Sequence, residues 1–460
     1  MIEQTTDSRH DEKIDHTLAF FAKLLCSGRF VIGREADEFM ARDLKTHLRP
    51  EGMPLDWDEI TVEIDEQART VTLSALGNSR TAVCNGRQGC TIIPRDGRLH
   101  FTPVPVAPNL PDAETTPWPM GDLLPRVPLP AEVNEAALRV ALDLAFDDSR
   151  QPVPVETRAM AVLYQGRLIA ERYAPGFGQD TRHVSWSMGK SIASALIGTL
   201  VRDGCFTVID RAPIEAWSAS DDPRREITIA NLLHMSSGLG FMRAQDDDRL
   251  ELGWTSLDDH MYIYYGGVDV FAHSTSRQLE HAPGTFWRYR NCDPLTLGRI
   301  VRQTVEARGE EYLSYPQRAL FDRVGMRNMV LEVDPWGNFI MTGFDYGTAR
   351  DWARLGLLHL RDGVWQGERI LPEGWVDFVR APAPADSERH YGGQFWLNAG
   401  GRLPNVPHDA YWPAGAWGQV VFIIPSRDIV MARLGHSTDT GDAFDAFLDT
   451  TISGILGAIS

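Results

Sequence analysis

Cysteine is scarce, with Cys26, Cys84, Cys90, Cys205 and Cys292 the only five in 460 residues and none at zinc-ligand spacing. They read as separate, mostly buried thiols, and Cys26 and Cys90 would pair only in an exported protein. No apolar run approaches the roughly 18 residues of a membrane span. Met1 to His16 lacks the basic start and apolar core of a leader. A cytoplasmic location is expected, or a periplasmic one if a leader has been removed. Positive charge is also short, at 45 Lys and Arg against 63 Asp and Glu, for a formal charge of −18. That argues against nucleic acid and anionic membrane surfaces and leaves the substrate open. The 13 histidines are scattered, with no His-Glu-x-x-His. Gly238-Leu239-Gly240 lacks the third glycine of a nucleotide fingerprint. No metal and no cofactor is expected, and His234 reads as a hydrogen-bonding residue of its loop.

What remains is an ordinary globular composition, 43% apolar and 23% charged, in a chain longer than one core usually serves. Ile14, Leu18, Phe21, Leu24 and Leu25 recur at helical spacing across Asp11 to Leu25. Val62, Ile64, Val71 and Leu73 alternate around Asp65-Glu66-Gln67, which predicts a hairpin. Both fall in an N-terminal α+β extension, residues 1–102, without a catalytic motif. Its role stays open among shaping a cleft, packing on the main domain, and mediating association such as a homodimer. Prolines crowd residues 103–130, a linker or strap that can neither hold a helix nor feed a sheet ladder.

The main domain covers 131–460. Met160 to Tyr173 predicts a hairpin around Gln165-Gly166-Arg167. Met188 to Arg202 predicts an apolar helix capped by Gly204. Val420 to Leu434 predicts two strands about Pro-Ser-Arg-Asp, and Ala443 to Leu456 a final amphipathic helix. Strands at both ends of the domain, with helices between, predict an α+β fold: an antiparallel β-sheet flanked by helices, with a helical subdomain.

Val184 to Ser191, VSWSMGKS, carries the chemistry. Ser187 and Lys190 sit three apart at the start of an apolar helix, so they share a face and can touch. A serine hydroxyl needs a base, and lysine serves only when its pKa falls, as burial and a helix N-terminus both favour. The plain alternative is a serine cap beside an exposed lysine, and Ser-x-x-Lys alone is a weak signal. Two further segments strengthen it. Tyr289-Arg290-Asn291 follows a Pro283-Gly284 turn, and Ala414 to Gln419, AGAWGQ, precedes a strand, where small residues let a backbone N–H approach a substrate.

This order of Ser-x-x-Lys, Tyr-x-Asn and a glycine-rich strand edge resembles class C β-lactamases, penicillin-binding DD-peptidases and related esterases and amide hydrolases. Leu232 to Leu239, LLHMSSGL, and Gly347 to Leu358, GTARDWARLGLL, are similar to further segments of that family. The resemblance runs from about 155 to about 458. It implies a nucleophile at Ser187, with Lys190 and Tyr289 sharing proton transfer. It also implies an oxyanion hole from the backbone N–H groups of Ser187 and Ala416, and a Tyr289 phenolate as base in deacylation. Asn291, with Trp186, Gly415 and Trp417, would contact substrate. Where β-lactamases carry Lys-Thr-Gly, this chain has Pro413-Ala414-Gly415, which favours the amidase and esterase branch. Tyr391 to Leu397, YGGQFWL, Gly418-Gln419, and Cys26 to Arg34, CSGRFVIGR, are similar to the 6-aminohexanoate-dimer hydrolase group. A small-molecule or short peptide-like substrate follows.

Two other readings compete. Ser185-Trp186-Ser187-Met188-Gly189 nearly spells an α/β-hydrolase elbow with His436 as base, but the first glycine is missing. An inactive ligand-binding relative would be expected to have lost a catalytic residue, and all three are present. Trp186, Trp287, Trp396, Trp412 and Trp417 lie beside the motifs and suggest an apolar-walled cleft.

Overall fold

The computed structural model describes residues 2–45, 54–151, 153–438 and 440–459. Helix α1 (Ile2–Ser27) lies on a four-stranded antiparallel sheet of β1 (Thr61–Asp65), β2 (Thr70–Ala75), β3 (Asn78–Cys84) and β4 (Cys90–Ile92), in that order. The expected hairpin is the β1–β2 pair, with Val62 opposite Leu73 and Ile64 opposite Val71. Val71, Leu73 and Ala82 are buried with Leu18, Phe21 and Leu25 of α1 in one hydrophobic cluster. The polar start of β3, Asn78-Ser79-Arg80, hides its strand character. Arg80 turns inward to pair with Asp15 of α1 at 2.5 Å, both nearly buried.

The same hydrophobic cluster runs on into the main domain. A buried ion pair fastens the junction: Lys23 Nζ of α1 lies 2.5 Å from Glu332 Oε2, at 2% and 0% exposure. The other carboxylate oxygen accepts from Ser27 Oγ at 2.6 Å and from the Cys90 amide at 2.9 Å. Residues 103–130 contain no helix or strand and lie against the main domain. Arg354 donates to the Pro119 and Gly121 carbonyls and to Asp122, with its guanidinium over the Trp118 ring.

The large sheet is antiparallel throughout. In chain order it comprises β5 (Thr157–Tyr164), β6 (Arg167–Tyr173), β7 (Trp396–Leu397), β8 (Tyr411–Trp412), β9 (Ala414–Gly415), β10 (Gln419–Ile424) and β11 (Ile429–Gly435). Across the sheet the order is β7-β8-β10-β11-β5-β6, with β9 beside β10. This pairing rules out the α/β-hydrolase reading, which needs a mostly parallel sheet.

Successive side chains point to opposite faces, and both faces are covered. Ala161, Leu163, Val421 and Val430 meet helix α5 (Ala349–Leu360). Met160, Val162, Phe422 and Met431 meet α2 (Glu135–Ala145) and the C-terminal α6 (Asp442–Gly457). The helical part packs α3 (Gly189–Arg202) against α4 (Cys292–Ala307). No helix among the described residues is long and apolar enough to cross a membrane, and all five thiols are free.

The junction gives the first prediction. Lys23→Met leaves Glu332 buried without its cation, a loss that typically costs about 3–5 kcal/mol. Denaturant unfolding should place the variant's midpoint well below that of the parent. An unchanged midpoint would mean that the pair does not fasten the extension.

Candidate active site

Short strand His183–Val184 pairs antiparallel with Asp345–Gly347, and the chain then turns sharply before α3. The Ser185 amide donates to the Asp345 carbonyl at 2.7 Å, and Trp352 Nε1 donates to Ser185 Oγ at 2.8 Å. Trp186 takes a left-handed φ of 48°, an unfavourable conformation for a bulky residue and of the kind that concentrates at functional sites. One residue later Ser187 faces the cleft.

The i, i+3 spacing does bring the two side chains together: Lys190 Nζ donates to Ser187 Oγ at 2.8 Å. Tyr289 lines the same cavity as Ser187, and the Lys190 ammonium position lies 4.8 Å from the centre of its ring. Lys190 is 1% exposed, and this desolvation pushes its amine well below the ordinary lysine value. Asp345 opposes the shift and Arg243 adds to it. Burial pushes the Tyr289 phenol the other way, up to about 12, against smaller effects of Ser187 and Arg243. That burial disfavours the phenolate the resemblance implies for Tyr289.

Gly189 explains one letter of the motif. A Cβ there would lie 1.8 Å from the buried Asp345 carboxylate, so only glycine lets α3 begin over that group. Gly415 explains another. A Cβ would fall 2.0 Å from the Ser185 carbonyl oxygen, so β9 is jammed against the nucleophile turn. Ala416, the next residue, lines the same cavity as Ser187. Trp417 is again left-handed, at φ 58°, and its ring meets Trp186 edge-on at 4.3 Å.

The cavity holds about 1060 Å³. Trp186, Trp396, Trp412 and Trp417 line it. Trp287 stands behind, its ring 6.4 Å from that of Trp396. Asn291 departs from the expectation of a substrate contact. It is wholly buried at the start of α4, donating to the His260 carbonyl and the Tyr264 hydroxyl, both at 3.0 Å. Tyr264 lines the cavity in its stead. His436, offered as an alternative base, stacks on Trp417 and lies 3.5 Å from Asp43.

Several groups escaped the sequence reading. The Thr342 carbonyl accepts from Tyr264 at 2.7 Å, Ser187 at 3.4 Å and Lys190 at 3.5 Å. A backbone acceptor has no residue type to recognise it by. Arg243 and Asp345 stand just outside the Leu232–Leu239 and Gly347–Leu358 segments and Phe20 lies far before both, and nothing in their residue types marks them.

The β-lactamase family model matches residues 155–450. The 6-aminohexanoate-dimer hydrolase of Paenarthrobacter ureafaciens is 27% identical over 350 residues, which cover 70% of this chain and 84% of that protein. A penicillin-binding protein homologue from Caulobacter crescentus has a similar fold, with a TM-score of 0.53 at 15% identity over 72% of this chain and 98% of its own. A family VIII carboxylesterase gives a TM-score of 0.52 at 14% identity, over 72% and 99%. An antiparallel sheet flanked by helices and a matched span of nearly 300 residues lead to one conclusion: the chain belongs to the β-lactamase family and is a serine hydrolase.

Proposed function

We propose that the protein cleaves an amide or ester bond of a linear, peptide-like substrate through an acyl-enzyme on Ser187, on the amidase and esterase branch of the family. The observation that carries this is the 2.8 Å contact between Ser187 Oγ and the amine of Lys190, which burial holds well below the ordinary lysine value. A neutral amine offers a lone pair for the serine proton as Oγ attacks the carbonyl carbon. Tyr289 keeps its own proton at neutral pH and acts as the acid, donating to the departing nitrogen or oxygen. It is reprotonated from Lys190, which resets the pair. In deacylation Lys190 takes a proton from the attacking water, and Ser187 recovers one as the acyl bond breaks. The N–H groups of Ser187 and Ala416 would hold the oxyanion.

The likeness to the 6-aminohexanoate-dimer hydrolase supports a linear amide. Pro413 in place of a lysine speaks against β-lactams. The two arginines on the cavity wall do not replace that lysine freely. Arg402 is held bidentately by Asp445 at 2.7 and 2.8 Å, and Arg243 lies 3.1 Å from Asp246.

Three outcomes are expected. A fluorophosphonate should label the chain once, at Ser187, and Ser187→Ala should abolish both label and turnover; label elsewhere would refute the nucleophile.

Lys190 must be neutral to act, so kcat/KM should rise with pH through one limb placed below the ordinary lysine range. It should not fall again until the Tyr289 phenol ionises near 12. Lys190→Ala and Tyr289→Phe should each lower kcat by about a hundredfold to ten-thousandfold with melting nearly unchanged. A tenth or more of parental turnover in Tyr289→Phe would remove that residue from the mechanism.

Nitrocefin should be hydrolysed far more slowly than a simple p-nitrophenyl ester. Comparable rates would show that another cation serves the β-lactam carboxylate.

A further inference from the structure

We infer that Phe20, on helix α1, is the end wall of the acyl pocket and sets the length of acyl chain the protein accepts. The inference rests on the acyl-enzyme reading above and adds to it a residue outside the family-matched span of 155–450. Phe20 lines the same cavity as Ser187 and is 4% exposed. Its ring stacks at 24° to Trp186, 6.5 Å away, and meets Trp254 and Phe344 edge-on at 5.5 and 5.9 Å. This end of the cavity is therefore closed by aromatic rings, a surface for hydrocarbon rather than for charge.

The direction of the substrate follows from Tyr289. Its ring neighbours are Trp396 at 5.4 Å and Tyr391 at 5.7 Å, and among the described residues it shares none of the ring neighbours of Phe20. A leaving group protonated by Tyr289 departs toward Trp396, so the acyl chain runs past Trp186 toward Phe20. The wall is also fixed in place. One turn along α1, Lys23 pairs with buried Glu332, and one turn back His16 Nδ1 meets the Trp254 carbonyl at 2.7 Å. A helix held at both sides of Phe20 does not retreat when a longer chain arrives.

The test is kcat/KM for p-nitrophenyl esters from acetyl to dodecanoyl, in the parent, Phe20→Ala, Phe20→Leu and Phe20→Trp. The parent should lose activity beyond a definite chain length. Phe20→Ala should move the optimum to longer chains, Phe20→Leu should move it less, and Phe20→Trp should move it to shorter ones. The ratio of long-chain to short-chain kcat/KM should rise about fourfold for each methylene newly admitted, the equivalent of about 0.8 kcal/mol. Should Phe20→Ala fail to fold, the opposite shifts of the leucine and tryptophan variants carry the test. A change by the same factor at every chain length would overturn the inference and leave the hydrolase reading standing. If Ser187→Ala hydrolyses the esters as fast as the parent, the acyl-enzyme reading falls and the inference with it.

Discussion

Enclosing a primary amine away from water is expensive while it is charged and cheap once it is neutral. Lys190 stands in the first turn of α3, where Ile192, Ala193, Ala195 and Leu196 are all fully buried. The same exclusion of water acts on Tyr289, and it moves the two groups apart. The amine loses its tendency to take a proton permanently, and the phenol loses its tendency to give one up. A single cause thus shifts both groups toward the base and acid roles proposed for them. Asp345, itself wholly buried under the start of α3, partly opposes the shift of Lys190.

Steric constraint then sets the backbone around that amine. Trp186 and Trp417, left-handed and in ring contact, flank the positions proposed for nucleophile and oxyanion hole. Such conformations cost of order 1–3 kcal/mol each and persist only when the surroundings over-determine them. Here the determinants are visible. Gly415 admits no side chain against the Ser185 carbonyl, and Trp352 holds the Ser185 hydroxyl. Gln419 reaches the Trp417 and Gly435 carbonyls at 3.2 and 2.6 Å.

The N-terminal extension shares the hydrophobic cluster of the catalytic part, and the buried Lys23–Glu332 pair crosses the junction. Burying Lys23 with Glu332 gains less than a hydrocarbon contact of equal size would, but leaving Glu332 without its cation would cost more. The position of α1 matters because it supplies a wall of the cavity.

Local regularity made much of this readable in one dimension. Helical and strand periods in Ile14 to Leu25, Val62 to Leu73, Met160 to Tyr173 and Val420 to Leu434 exposed the α+β architecture. The i, i+3 geometry of a helix brought Ser187 to Lys190, because a contact within one turn follows from backbone geometry alone. Strand β3 stayed hidden, since Arg80 is polar and its inward position depends on Asp15, 65 residues away. Asn291 misled for a related reason: spacing cannot say which side of a helix start faces the cleft, and tertiary packing turned it toward His260 and Tyr264. The sequence by itself brought out the family's Ser-x-x-Lys and Tyr-x-Asn motifs and most of the elements that carry them. Only the tertiary structure decided how dry Lys190 is, which carbonyl it meets and that Phe20 lines the cavity. Each of those depends on segments more than 150 residues apart in the chain being packed together.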